Sequence, residues 1–244
     1  MCNEAARRTA LGLIREDFNQ VGIELSFPEG APNLAATDSI RITDPSAIVR
    51  FHEAGYSLVQ RRWSWAGPQG KPVYNYRSEG RAFGNSPAGG RCLIPLDGFY
   101  EFTDPAHPLS QAADAAGASP ARTRGKKDKW LFSLVEPSNG GIPETAPEWQ
   151  VWQVTGSRPA PGLFCVAGLW RAGVEIGSKA GGPAKGEAWT MLTCEPGPDI
   201  APYHSRQVVI MPRERWADWL LGVVPAAELI APTPAGTLSA VRVS

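Results

Sequence analysis

Arg91-Cys92-Leu93-Ile94-Pro95-Leu96-Asp97-Gly98-Phe99-Tyr100-Glu101-Phe102 is the stretch that decides the fold class. Its apolar and aromatic residues, interrupted by Pro95 and Gly98, predict two short strand pieces rather than a helix. Similar signals recur on both sides. Residues 46–52 (Ser-Ala-Ile-Val-Arg-Phe-His) alternate as a strand does, and Tyr56 to Trp65 reads as their partner after a turn at Gly55. Further strands are expected at Trp130–Glu136, Trp149–Val154, Leu163–Trp170, Ala188–Cys194 and Gln207–Met211, with a closing strand at Leu238–Val243. Helical spacing is rare. Leu11, Ile14 and Phe18 predict an amphipathic helix over residues 5–18, and Pro212 opens a short helix at Arg213–Leu221. Residues 19–45 read as turn-rich and extended. Stretches 103–129, 137–148 and 171–187 are rich in Gly, Pro, Ala, Ser or Lys without periodicity, and read as surface hairpin extensions. The expected class is α+β, mostly β, with residues 1–244 forming a single β-rich domain with a few short helices.

Composition agrees. The 244 residues are 43% hydrophobic and 20% charged, enough apolar material for a packed core. Gly 26 and Pro 23 favour many turns. Lys+Arg and Asp+Glu both number 24, which excludes a chain-wide basic field but not a local one. Four cysteines without CxxC spacing and three histidines argue against a zinc site. The start, Met1-Cys2-Asn3-Glu4, has neither a basic nor an apolar signal region, and no apolar run reaches membrane length. A cytoplasmic protein with reduced thiols, no cofactor and no membrane partner is expected.

The chemistry-bearing residues are few. If Met1 is removed, Cys2 carries a free α-amine and a thiol, both with a reactive fraction near neutral pH. Such a 1,2-aminothiol condenses with an aldehyde to an imine and then closes to a thiazolidine. The alternative is that Cys2 is incidental. From Arg61 to Arg91 the basic residues are Arg61, Arg62, Lys71, Arg77, Arg81 and Arg91, against one acid, Glu79. Trp63, Trp65, Tyr74 and Tyr76 are interleaved. Cations with flat rings suit a single nucleic-acid strand, phosphates to the one and unpaired bases to the other. An ordinary solvated face over core tryptophans fits the same pattern. A second basic cluster, Arg122, Arg124, Lys126, Lys127 and Lys129, reads as a loop tip. Glu101 is bracketed by aromatics, so either desolvation raises its pKa and suits it to proton transfer, or it faces outward from a strand. His204, in Pro202-Tyr203-His204-Ser205-Arg206, is either structural or part of a site for an anionic ligand. His52 and His107 have no such context.

Several blocks, in order, resemble the SOS response-associated peptidase (SRAP) family, which senses abasic sites in single-stranded DNA. Met1-Cys2-Asn3 resembles the family's start, and Asn75-Tyr76-Arg77-Ser78-Glu79 its Asn-x-Arg-x-Glu motif. Arg91 to Phe102 is similar to its Arg-Cys-hydrophobic-Pro…Gly-Phe-Tyr-Glu-Trp block. Phe164-Cys165-Val166-Ala167-Gly168-Leu169-Trp170, Thr190-Met191-Leu192-Thr193 and Tyr203-His204-Ser205-Arg206…Met211-Pro212 resemble its later segments. Glu4 stands where the family often has Arg, with Arg7 and Arg8 nearby. The family's Trp-Gly-Leu-hydrophobic-Pro run is here Trp63-Ser64-Trp65-Ala66-Gly67-Pro68.

The resemblance implies a compact SRAP-like domain that joins Cys2 covalently to the aldehyde of a ring-opened abasic sugar. It implies that Asn75 positions the sugar or the α-amine, Glu101 shuttles protons, and His204 assists sugar opening and imine formation. Arg77 and Arg206 would contact DNA, and Trp63 or Trp65 would stack on it. Pro45 and Phe102 sit where the family contacts a DNA junction. The implied partner is single-stranded DNA containing abasic sites, bound by a monomer. The implied activity is self-processing and crosslinking, possible lyase chemistry included. No Ser/His/Asp set supports general proteolysis. Two other readings stay open: an amidohydrolase or amidotransferase with Cys2 as N-terminal nucleophile, and a non-covalent single-strand binder.

Overall fold

The computed structural model describes residues 2–115, 126–135, 162–176 and 185–243. The chain opens with β1 (Glu4–Arg7), α1 (Leu11–Gln20), β2 (Leu25–Ser26) and β3 (Thr37–Arg41). Next come β4 (Pro45–His52), β5 (Gly55–Trp63), β6 (Trp65–Ala66), β7 (Pro72–Val73), β8 (Asn75–Arg77), β9 (Gly89–Leu96) and β10 (Gly98–Thr103). The second half adds α2 (Pro108–Ala115), β11 (Asp128–Leu134), β12 (Phe164–Glu175), β13 (Lys185–Cys194), β14 (Gln207–Val208) and β15 (Ile210–Met211). It ends with α3 (Trp216–Leu221), α4 (Ala226–Leu229) and β16 (Leu238–Arg242). The α+β class with a predominance of strands is as expected.

Two sheets carry the fold. The larger runs β14-β13-β12-β9-β4-β5-β2 and closes on itself, because β5 also pairs in parallel with β13 through Arg62↔Ala188 and Trp63↔Trp189. The smaller runs β16-β11-β10-β1-β3. Strand periodicity sorts the larger sheet's side chains into two cores. Ala47, Val49, Leu93, Ala167, Leu169 and Leu192 pack with Ile14 and Phe18 of α1 and Trp216, Trp219 and Leu220 of α3. The alternate residues, Ile48, Ile94, Val166, Trp170, Trp189 and Met191, pack with Ala5, Phe99, Trp130 and Phe132 of the smaller sheet. Trp63 and Trp189 stack at 5.1 Å, and their indole N–H groups donate to the Tyr74 and Arg61 carbonyls at 2.9 and 2.7 Å. These buried donors are thereby satisfied where the sheet closes.

Several boundaries differ from expectation. Pro95 lies inside β9, opposite Cys165, and the break falls at Asp97. The Asp97 carboxylate accepts from the Arg8 and Thr9 amides and the Thr9 hydroxyl, so Asp97 ties the β9–β10 corner to the entry of α1. The first helix therefore starts at Leu11. Glu4–Arg7 is a strand instead, held between β10 and β3. The β4–β5 turn is made by Glu53 and Ala54, both at positive φ, and Gly55 already belongs to β5. Both ends of the stretch 171–187 are strand, since β12 runs on to Glu175 and β13 begins at Lys185; residues 177–184 lie outside the described residues. Within 103–129, Thr103 ends β10, α2 follows, and Lys129 lies in β11. The expected loop 137–148 and strand Trp149–Val154 lie outside the described residues, as do Arg122 and Arg124.

Between β5 and β6 the chain turns at Ser64, which is buried with φ of 81° while its amide donates to the Trp189 carbonyl at 2.8 Å. That left-handed backbone disfavours any residue with a Cβ, and β-branched ones most. Ser64→Gly is expected to keep stability within about 1 kcal/mol of the parent or to raise it. Ser64→Val is expected to cost roughly 2 kcal/mol. Urea denaturation midpoints check both, and a neutral Ser64→Val would contradict the strain.

Candidate functional site

The site grows out of β10. Strand alternation turns Phe99, Glu101 and Thr103 into the interior and leaves Phe102 half-buried on the other face. Glu101 is only 1% exposed and lies opposite Trp130 of β11. On its other side β10 pairs with β1 through Phe99↔Ala5 and Gly98↔Ala6, which draws the chain start alongside Glu101. The Cys2 amide donates to the Glu101 carboxylate. The Cys2 carbonyl accepts from Asn75 Nδ2 at 2.7 Å, and Cys2 Sγ donates to the Glu4 carbonyl at 3.3 Å. Cys2 is thus fixed at its nitrogen, its carbonyl and its sulfur, and it is buried.

Asn75 comes from β8, which runs parallel to β13 with Asn75↔Met191 and Arg77↔Thr193. The same alternation puts Asn75 and Arg77 on one face, with Arg77 exposed. Asn75 Oδ1 is buried and has no hydrogen-bond partner among the described residues. His204 is half-buried in the turn before β14. Its Nδ1 lies 2.9 Å from the Arg206 amide and 3.0 Å from the Arg206 carbonyl. The adjacent Tyr203 ring packs 5.0 Å from both Trp130 and Phe132, which seats this turn on the strand facing Glu101.

Electrostatics link the groups. Burial pushes the Glu101 carboxyl up to about 7, opposed by the positive α-amino group at the chain start and by the Cys2 amide. Burial, and then the Glu101 charge, push the Cys2 thiol far above its ordinary range. Burial, and then the same α-amino charge, lower His204. A thiol held neutral beside a carboxyl that titrates near neutrality needs that carboxyl, or an equivalent base, to lose its proton.

Other expected site residues fall elsewhere. Trp63 is wholly buried against Trp189, and Trp65 is 6% exposed with the Arg171 guanidinium over its ring. Core packing occupies these rings, so neither offers a free face to a base. Pro45 is exposed at the start of β4, opposite Arg62, and Phe102 is half-buried on the far face of β10 from Glu101. Arg206 is not an open cation: it forms a two-pronged pair with Glu79, with Nη2–Oε2 at 2.9 Å, and donates to the Thr193 carbonyl at 2.8 Å. The Arg61–Arg91 stripe is also divided. Arg61 pairs with Glu29 and Glu187, and Arg91 is buried, donating to the Phe83 and Val224 carbonyls. Lys71, Arg77 and Arg81 remain exposed.

Two contacts were missed by the sequence reading. Glu4 is buried and holds Lys129 Nζ at 2.8 Å and Ser39 Oγ at 2.6 Å, and Lys129 sits 3.8 Å above the Tyr100 ring. Reading Lys129 as part of a loop tip hid this pair; the alternation of β11, traced back from Trp130, was the available signal. Likewise, Glu79 lay in a recognised motif but had no partner assigned to it.

A family model described as SOS response associated peptidase (SRAP) matches residues 1–244. Comparison with curated proteins gives no match. Among solved structures, the chain is similar to a phage-related protein of Bordetella bronchiseptica, with 16% identity over 99% of this chain and 94% of that one and a TM-score of 0.56. It is also similar to a protein of Bacteroides thetaiotaomicron, with 12% identity over 100% and 92% and a TM-score of 0.58. At these identities the likeness concerns the fold. Among the described residues, no helix is long and apolar enough to cross a membrane.

The Glu101 environment has a consequence for stability. A carboxyl raised from 4.5 to about 7 in the folded state favours folding fully below pH 4.5, and this advantage is lost as the pH rises through 7. Glu101→Gln removes the titration. The variant is expected to match the parent near pH 4.5 in relative terms and to gain roughly 2–3 kcal/mol on it by about pH 8. Paired denaturation curves at the two pH values check this; a difference independent of pH would mean that Glu101 is not a strained, buried acid.

Proposed function

The chain belongs to the SOS response associated peptidase family over its whole length, and from that premise we propose that it captures abasic sites in single-stranded DNA as a covalent thiazolidine on Cys2. One observation carries the reading: the nitrogen of Cys2, which becomes the α-amine once Met1 is removed, is hydrogen-bonded to a buried carboxyl of near-neutral pKa. The thiol of the same residue is packed beside that carboxyl.

The chemistry follows in steps. The α-amine adds to the aldehyde carbon of the ring-opened sugar, giving a carbinolamine. Loss of one water leaves the imine: Glu101 donates the proton that the departing hydroxyl needs and takes one back from the nitrogen. Cys2 Sγ then bonds to the imine carbon, and the thiol proton passes by way of Glu101 to the ring nitrogen. The net change is aldehyde plus aminothiol giving thiazolidine plus one water. An imine left open would promote β-elimination and strand cleavage; ring closure removes it. His204, whose neighbour Tyr203 packs on Trp130 opposite Glu101, assists opening of the sugar and formation of the imine. Asn75 holds the Cys2 carbonyl with its amide nitrogen and keeps Oδ1 as an acceptor for the sugar or the amine. Arg77, exposed on the same face of β8, takes a backbone phosphate. Trp63 and Trp65 have no stacking role in this reading, since the core uses both rings.

Denaturing gels and mass spectrometry with an oligonucleotide carrying one abasic site test the proposal. The expected adduct has the summed mass of oligonucleotide and Met1-less protein minus one water, and Cys2→Ala forms none. A full-strength adduct from Cys2→Ala would overturn the assignment. Arg77→Ala should weaken binding of intact single strands of any sequence and lower the salt slope by about 0.7. An unchanged slope would remove Arg77 from the DNA contact.

A further inference from the structure

Glu79 is the one acid in the stripe from Arg61 to Arg91, and the chemistry above gives it no task. An unpaired carboxylate there would repel DNA, yet this one is engaged. Its two oxygens receive both terminal nitrogens of Arg206, and that hydrogen bonding holds its carboxyl below the usual range. Arg206 is tied again on its inner side, through Nη2 to the Thr193 carbonyl at 2.8 Å and the Thr193 hydroxyl at 3.2 Å. The neighbouring Ser78 donates to the same carbonyl from its amide at 3.1 Å and from its hydroxyl at 2.9 Å. These contacts lock Arg206 against the end of β13, where Arg77 and Thr193 are in register. The Arg206 amide in turn lies 2.9 Å from His204 Nδ1.

We propose that Glu79 is a positioning residue that acts through Arg206 to hold the His204 imidazole in its working orientation. The inference rests on the crosslinking reading for its kinetic consequence and on geometry alone for the brace. The turn bearing His204 is short, and Ala201, Pro202 and Ser205 beside it are exposed. A planar fork bound at both terminal nitrogens restricts rotation of Arg206 far more than a point charge would. The same pairing cancels the one negative charge of the stripe, so Glu79 can be present without opposing a phosphate on Arg77. Arg206, already bound on two sides, is a strut here rather than a phosphate ligand.

The test uses the full chain with Glu79→Gln, Arg206→Lys and His204→Ala, each alone, and the double variant Glu79→Gln/His204→Ala. Glu79→Gln is expected to slow single-turnover crosslinking at saturating abasic DNA roughly ten- to a hundredfold. Its affinity for an intact single strand should not weaken. Arg206→Lys, which keeps the charge and loses the fork, should behave likewise. In the His204→Ala background, Glu79→Gln should cost nothing further, because its effect passes through His204. Equal slowing in both backgrounds would overturn the proposal, as would unchanged crosslinking by Glu79→Gln. Weaker binding of intact strands by Arg206→Lys would return Arg206 to the DNA contact and overturn the strut.

Amide hydrogen exchange separates this inference from the function it rests on. Exchange at Arg206 should accelerate in Glu79→Gln while β12 and β13 keep their protection. If the parent protein does not crosslink abasic DNA but this local loss occurs, the crosslinking reading fails and the brace stands. If Arg206 exchange is unaltered, the brace fails whatever the parent does.

Discussion

The pairing of β1 with β10 is the constraint on which the site depends. Two residue pairs, Ala5↔Phe99 and Ala6↔Gly98, bring the chain start to the strand that carries Glu101. Gly98 also sits close to the next strand: a Cβ there would lie 3.1 Å from the Phe132 carbonyl of β11, so that backbone would have to give by a few tenths of an ångström. Ala5 and Ala6 are fully buried, and larger residues would push β1 away. Small residues at these three positions let three strands stack closely enough for the Cys2 amide to reach a carboxylate. The short N-terminal strand also belongs to the core between the two sheets, which Cys2 and Ala5 join.

Two carboxylates near that strand show how local environment sets their use. Burial acts to raise both. At Glu4 it is outweighed by hydrogen bonds from Lys129 and Ser39 and by nearby Arg41, and the carboxyl is held below its usual range. At Glu101, almost wholly buried, desolvation outweighs the α-amino charge and the Cys2 amide, and the carboxyl rises to about 7. Glu4 stays charged and anchors the strand, whereas Glu101 can exchange a proton near neutral pH. The Glu4 carbonyl, meanwhile, accepts from the Cys2 thiol, so the anchored residue also orients the sulfur.

Much of this was legible in the sequence. Two strand pieces within Arg91–Phe102, the β4–β5 hairpin and a helix after Pro212 follow from alternation and turn residues, while the aromatic flanks of Glu101 left it open between a desolvated acid and an outward-facing one. The first helix was extended too far because Glu4–Arg7 is too short for a period to declare itself, and only tertiary pairing makes it a strand. Trp63 and Trp65 were read as either stacking surface or core, and the choice required knowing that β5 closes the sheet against β13. The same closure takes Arg61, whose ion pairs reach Glu29 and Glu187 across large sequence separations. Such pairs leave no local signal. The Glu79–Arg206 contact spans 127 residues and was equally invisible, although both partners lie in recognised blocks.

The division of the basic stripe bears on how a single strand could be recognised. Lys71, Arg77 and Arg81 are exposed, Arg81 donating to the Tyr76 hydroxyl, and the other cations of the stripe are engaged internally, so on the proposed reading the stripe itself offers charge for a few phosphates. A slope of about 0.7 per phosphate makes such binding moderate and readily lost with salt. Burial of Trp63 and Trp65 takes these two rings out of the sequence-tolerant stacking that strengthens ordinary single-strand binders. On the proposed reading, intact DNA is therefore held briefly, and discrimination falls to the step that only an aldehyde can undergo. Weak prior binding suits that division: a protein that dwelt on every exposed strand would be occupied by undamaged DNA, whereas one that bonds covalently to the lesion needs only to pass over it.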